Sequence, residues 1–349
     1  MRRVRRVLDC APVRNAALLI AVLAAAVFAS GCGGSGNSSS STADLAAPSY
    51  RAPKKTAAAK TEFPKVKGRS LGALRSGLPG GIVLAPSVSV IDRGRNRYGF
   101  ALFDTAHKQI AGVPVALYVS KNDGSDVHGP YVGRTESLKV KPQYEAISTQ
   151  KDPDAAKSVY VADLDFAKPG RYRVSAIAEL DGRMVSTSSF GADIHAKPTG
   201  EPPAVGDPAP KIHTPTLASV NGDASRIDTR NPPAEDLLKT DFADVYGKKP
   251  ALILFATPAL CASRVCGPVV DVLEQLRSQY GKDDVAFIHN EIYKENRVDQ
   301  GLRPEPAAFR IPTEPWLFAI DRHGKVADRI EGAFSVAEAE KALEKAKAG

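Results

Sequence analysis

The chain has 349 residues, 43% of them hydrophobic, with 47 lysines and arginines against 39 aspartates and glutamates for a formal net charge of +8. That length exceeds one ordinary domain, and the apolar content is enough for two cores with flanking segments. The positive excess is modest and scattered rather than gathered on a motif, which excludes a nucleic-acid-binding class.

Arg2, Arg3, Arg5, Arg6 and Arg14 precede the apolar run "AALLIAVLAAAVFAS", which stops at Gly31-Cys32. A basic stretch, a short apolar core and small residues spell a secretory signal over residues 1–31, too short for a membrane span. Its end, "ASGC", resembles the lipobox of bacterial lipoproteins, with Ala29 where leucine is usual. The resemblance implies cleavage before Cys32 and lipidation of Cys32, hence an exported protein anchored to the outer face of the bacterial cell membrane or elsewhere in the envelope. Removing residues 1–31 takes away five arginines and Asp9, leaving about +4. Residues 32–77 are rich in Ser, Gly, Ala, Pro and Lys and predict a flexible tether with an r.m.s. span of roughly 35 to 40 Å.

Residues 78–198 carry a β pattern. "RYGFALFD", "VPVALYVSK" and "SVYVADLDF" are strand-like. In "PGRYRVSAIAELDGRMVSTSSF", Tyr172, Val174, Ala176, Ala178 and Leu180 alternate with more polar neighbours, and Asp181-Gly182 closes a hairpin. Six or seven short strands without helical periodicity predict an antiparallel sandwich. The G-x-Y-x-V pattern around Tyr172 resembles immunoglobulin-like domains, in which such a tyrosine bonds back to the backbone. His107, His128 and Met184 share no ligand spacing and make no copper site. A proline-rich linker, 199–215, is expected to separate this sandwich from the C-terminal part of the chain.

Residues 216–349 change to alternating β and α. "ALILFA" (251–256), "VAFI" (285–288) and "WLFAI" (316–320) are continuous apolar runs, as for strands covered on both faces. "GPVVDVLEQLRSQYG" places Val269, Leu273, Leu276 and Tyr280 on one helical stripe, with Gly281 at the stop. The first two strands flank that helix as a parallel βαβ unit. "DRHG" turns a hairpin, and Ser335 with Glu338 forms a capping box on a last helix.

Of four cysteines, Cys10 leaves with the signal and Cys32 is taken by lipid, so the exported body holds Cys261 and Cys266 alone. In an oxidising compartment two thiols this close form a disulfide. A disulfide needs Cα atoms roughly 4.4 to 6.8 Å apart, whereas residues i and i+5 of a regular helix lie about 8.6 Å apart. The pair therefore requires a loop, and Pro268 predicts that the helix begins near Gly267 with Cys261 to Val265 in front of it.

The order of strand, cysteine pair, helix, strand, proline-led strand, hairpin and helix resembles the thioredoxin-like superfamily, its exported, membrane-anchored TlpA/ResA-like members most of all. "VGDPAP" (205–210), "ALILFATPALC" (251–261) and "TEPWLFAIDRHGKV" (313–326) carry the resemblance. The fold class expected is thus a multidomain chain, an Ig-like β-sandwich followed by an α/β thioredoxin-like domain. The resemblance implies a thiol-disulfide oxidoreductase acting on thiols or disulfides of other exported proteins, with no cofactor and no metal. Cys261 would be the nucleophile, Cys266 the resolving thiol and Pro315 the family's cis-proline, presenting the backbone of Glu314 to an extended substrate. Trp316 is expected in the core, and Arg264 beside either thiolate. The family's buried acid is missing, since Leu254 and Phe255 stand there; Glu291 and Tyr293, past the end of the parallel strand, are candidates to replace it.

The competing class is a binding module whose disulfide is only structural. Copper delivery would want C-x-x-x-C and a distant histidine. A peroxiredoxin would want P-x-x-x-T-x-x-C, and neither cysteine has that context.

Overall fold

A computed structural model describes residues 61–188, 191–197, 201–281 and 284–349. The expected signal, Cys32 and the expected tether up to residue 60 lie outside the described residues. No helix among the described residues is long and apolar enough to cross a membrane.

The chain enters with a short helix α1 (Leu71–Arg75), capped by the Ser70 side chain on the Ala73 N–H. Eleven strands come next: β1 (Ile82–Pro86), β2 (Ile91–Asp92), β3 (Gly94–Asp104), β4 (Gln109–Ile110), β5 (Val115–Lys121), β6 (His128–Val132), β7 (Arg134–Ser137), β8 (Ser158–Phe166), β9 (Gly170–Leu180), β10 (Arg183–Ser186) and β11 (Ala192–Lys197). They form two sheets, β1-β3-β8-β7 with β4 beside β3, and β2-β11-β9-β5-β6 with β10 beside β9. Every pairing is antiparallel except β11 with β2. Helix α2 (Ile147–Lys151) lies in the long connection between β7 and β8. The β9–β10 turn has positive φ at both Asp181 and Gly182, as a two-residue I′ hairpin demands. The Tyr172 hydroxyl donates to the Lys168 carbonyl at 2.6 Å, the bond back to backbone that its sequence pattern leads one to expect.

Two boundaries differ from the sequence expectation. Residues 61–77 are not tether: Phe63, Leu71 and Leu74 are buried against Ala116, Tyr118, Val127 and Ile177, and the Tyr118 hydroxyl donates to the Pro64 carbonyl. This segment covers the second face of β5, which is why "VALYV" is a continuous apolar run instead of an alternating one. The proline-rich stretch is likewise no free hinge. Gly206 and Ala209 donate to the carbonyls of Val326 and Gly324, while Val326 donates to Asp207.

The remaining elements are α3 (Phe242–Val245), β12 (Ala251–Phe255), α4 (Cys266–Tyr280), β13 (Ala286–Asn290), α5 (Pro304–Ala308), β14 (Trp316–Ile320), β15 (Val326–Glu331) and α6 (Val336–Ala348). The sheet order is β13-β12-β14-β15, with β12 and β13 parallel and the other pairs antiparallel. All five positions of β12, β13 and β14 are buried. Helix α4 stops at Gly281, and α6 starts on the Ser335–Glu338 capping box. A βαβ unit continued by an antiparallel hairpin and a closing helix is the arrangement that the thioredoxin-like resemblance implies.

The two bodies share an apolar cluster where they meet. Leu138, Val159 and Val161 of the strand-rich body belong to the same apolar cluster as Val269, Leu273 and Leu276 of α4 and Leu343 of α6. Around it, Arg97 makes paired 2.8 Å bonds to Glu338, Glu331 accepts from Ser89 and Val90, and Arg329 bonds Asp92.

Candidate functional site

The cysteine loop leaves the end of β12 and returns at the start of α4. Helix α4 begins at Cys266 itself, one residue before the expected start, with Val265 at the N-cap and Pro268 in the third helical position. Proline is still tolerated there because the first-turn N–H groups have no partner inside the helix. Cys261 and Cys266 are bridged, with Cα atoms 6.0 Å apart. Arg264, at φ +58°, turns the loop back on itself.

This geometry divides the two sulfurs. Cys266 sits in the first turn of α4, where the helix dipole favours a thiolate, but it is 0% exposed. Cys261 is 6% exposed, and its Sγ lies 3.2 Å from the Ser263 hydroxyl. The thiol that the dipole favours and the slightly less buried thiol are therefore different residues.

The other residues singled out in the sequence fall at several distances from this pair. The Glu314–Pro315 peptide is cis, and the register pairing Phe255 with Trp316 brings Pro315 to the end of β12, from which the cysteine loop departs. Burial lifts the Glu314 carboxyl above the ordinary carboxylate range. Trp316 is fully in the core, stacked on Phe318, with its indole N–H donating to Thr313. The Arg264 guanidinium, expected beside the thiolates, pairs with Asp152 at 3.3 Å. Tyr293 lies apart, bridging to Leu302. Glu291 is buried, not a surface glutamate, and its Oε1 accepts from both the N–H and the hydroxyl of Thr229, at 2.7 and 2.6 Å. Thr229 in turn accepts from the Ala259 N–H in the cysteine loop, so Glu291 reaches that loop through one hydroxyl.

Three features escaped the sequence. The first is Asp228 and His289, buried with Glu291 in one cluster behind the loop. Burial pushes the Asp228 carboxyl up, but the His289 charge and two backbone N–H groups outweigh it and hold the group low. Burial pushes the His289 imidazole down, and Asp228 and Glu291 more than offset that. For Glu291 burial prevails, and its carboxyl is raised. A histidine directly after the apolar run "VAFI" was the available signal.

The second is Asp271 on α4, fully buried, which accepts from Arg230 at 2.8 Å and from the Ala146 N–H at 3.2 Å. The third is the β7–β8 connection, which crosses the cysteine loop as a strap. Its Ala156 N–H donates to the Arg264 carbonyl, Ser148 donates to Asn231, and Lys141 donates to Gln275 on α4. Strap and loop together enclose a cleft of about 260 Å³ lined by Ser148, Thr149, Asp152, Pro258, Ala259 and Arg264.

No family model and no curated protein matches this chain. Among solved structures, the chain is similar to a thioredoxin-family thiol:disulfide interchange protein from Chlorobium tepidum, at 18% identity over 41% of this chain and 97% of that one, with a TM-score of 0.30. A candidate thiol:disulfide interchange protein DsbE from Chlorobium tepidum aligns at 17% identity over 41% and 95%, with a TM-score of 0.29. The Lin-41 filamin domain aligns at 11% identity over 34% of this chain and 95% of that one, with a TM-score of 0.19.

Proposed function

We propose that this chain is an exported, lipid-anchored thiol-disulfide oxidoreductase that exchanges disulfides with other exported proteins through Cys261 and Cys266. The observation that carries the reading is the bridged pair at the mouth of a βαβ unit, one cysteine in a loop and the other at the helix start, with cis-Pro315 ending the neighbouring strand. In the reduced enzyme the Cys261 thiolate attacks a sulfur of the partner's disulfide, forming a mixed disulfide and releasing the partner's second sulfur as thiolate. The Cys266 thiolate then attacks Cys261 Sγ, closing the internal bridge and freeing the partner as a dithiol. Run backwards, the same two steps oxidise a partner. Export and anchoring rest on the basic run, the apolar core and the "ASGC" ending at Cys32.

Burial of both sulfurs supports a second reading, a binding module with an inert bridge. Titration of the purified protein in glutathione buffers separates the two. A midpoint above about −300 mV, with Cys261 the first thiol alkylated, is expected. A midpoint well below it, with no thiol trapped under mild reduction, overturns the redox reading. In cells, a Cys266→Ser protein should accumulate mixed disulfides and a Cys261→Ser protein should not. Mass spectrometry of the mature N-terminus tests lipidation at Cys32.

A further inference from the structure

Asp228, His289 and Glu291 each offer one ligand atom, all within 4.8 Å of one another, in a place that solvent does not reach. The cluster holds two carboxylates and an imidazole, and two of its atoms have no hydrogen-bond partner: His289 Nδ1 and Glu291 Oε2. A polar atom buried without a partner is destabilising, more so if charged.

The surroundings decide what could fill the gap. His289 Nε2 lies 3.1 Å from the Ala256 carbonyl, which can only accept, so Nε2 carries the hydrogen. Nδ1 faces Asp228 Oδ1 at 3.6 Å, longer than an ordinary hydrogen bond. A cation held between Nδ1 and the two carboxylates, displacing any proton on the ring, satisfies all three groups at once. The outer partners are already in place for one. Asp228 is held by the N–H groups of Arg230 and Ala234, at 2.8 and 2.7 Å, and Glu291 Oε1 by Thr229, while Oε2 has no hydrogen-bond partner. A histidine that donates its far nitrogen to a backbone carbonyl, with oriented carboxylates beside it, is how metal ligands are aimed.

We propose that Asp228, His289 and Glu291 form a binding site for a divalent metal ion, Zn2+ by donor chemistry. One imidazole nitrogen and carboxylate oxygens suit zinc, and the two negative charges match the ion's two positive ones. Ligands about 2.0 to 2.1 Å from a tetrahedral ion stand roughly 3.3 Å apart, so small side-chain rotations close the cluster. The three side chains leave the fourth position of a tetrahedral ion to the buried Thr257 hydroxyl or a water, and with solvent shut out its role is structural. It ties β13 to the segment at Thr229 and, through the Ala256 carbonyl and the Ala259 N–H, to the root of the cysteine loop.

The test uses the full mature chain, unfolded in chelator and refolded with zinc, followed by metal analysis. One zinc per chain is expected in the wild-type protein and equally in a Cys261→Ser/Cys266→Ser double variant. X-ray absorption should show nitrogen and oxygen neighbours without sulfur. His289→Ala and Glu291→Gln should lose stoichiometric zinc, and Thr229→Val, which removes only an outer partner, should weaken binding by about 10- to 100-fold. Refolded wild-type protein that holds no zinc overturns the proposal, as does zinc that disappears in the double cysteine variant or shows sulfur neighbours. Should a ligand variant fail to fold, the wild-type stoichiometry and its absorption spectrum still decide.

Discussion

Arg264 reaches out of the cysteine loop to Asp152, Nη1 to Oδ2 at 3.3 Å, while its carbonyl accepts the N–H of Ala156 at 3.1 Å. Both partners lie on the connection between β7 and β8, so the strand-rich body holds the loop that carries Cys261. Access to the disulfide is thereby coupled to a strap from elsewhere in the chain. By sequence alone that body reads as a spacer or partner selector; the structure gives it a hand on the site.

Loosening the strap should expose the bridge. The Arg264–Asp152 pair is partly solvated, with side-chain exposures of 57% and 25%, and such pairs are worth about 0.2 to 1 kcal/mol. Asp152→Ala should therefore speed reduction of the disulfide by dithiothreitol by up to about fivefold while leaving the melting temperature nearly unchanged. A time course of thiol alkylation measures it, and an unaltered rate would mean that the strap does not gate the sulfurs.

Acid should weaken the joint between the two bodies. Burial pushes the Glu338 carboxyl up, but the bonds and charge of Arg97 outweigh it and hold the group below its ordinary value. A depressed carboxylate contributes stability in full above the unfolded-state value near pH 4.5 and loses it as pH falls through the lower folded value. Glu338→Gln, which can keep the capping box, should cost about 1.5 to 3 kcal/mol at pH 7. Melting curves of the two proteins should converge as pH falls from 4.5 through the lower folded value; a constant gap would assign the loss to packing instead.

The entering segment should matter for stability. Leu71 is fully buried against the β5 face, and Leu71→Ala should cost about 2 to 5 kcal/mol in urea unfolding. Substitution in a mere tether would cost nothing.

How much of the fold the sequence made legible depends on how local each signal is. Continuous apolar strands, the Ser335–Glu338 box, the Gly281 stop and the Asp181-Gly182 turn are each specified within a few residues, and each stands where expected. The two cysteines and Pro315 were readable because their order along one chain carries the pattern. Asp228 and the β7–β8 strap were not, because their partners lie far off in sequence: 61 residues separate Asp228 from His289, and 112 separate Asp152 from Arg264. The tether reads as far as residue 77 because Phe63, Leu71 and Leu74 are sparse among polar neighbours, and only β5 shows what they cover. The expected linker failed for a related reason: prolines mark an irregular path, and the Val326 and Gly324 carbonyls that hold the path down lie more than 100 residues on.

The bridge itself should be a weak staple. Cys261 and Cys266 are five residues apart, so the closed loop is short, and chain entropy gives such a ring about 2 kcal/mol. Reduction should therefore lower unfolding free energy by about that amount and leave the protein folded. By linkage the same 2 kcal/mol makes the folded pair roughly 45 mV more reducing than the same thiols in the unfolded chain. Urea unfolding of the oxidised and the reduced, alkylation-free protein measures the difference directly. A loss above about 5 kcal/mol would mark a bridge on which folding depends, a poor choice for a bond that must open in every turnover, and would favour the inert binding module. A loss near 2 kcal/mol leaves the bond free to cycle without unfolding the structure that holds it.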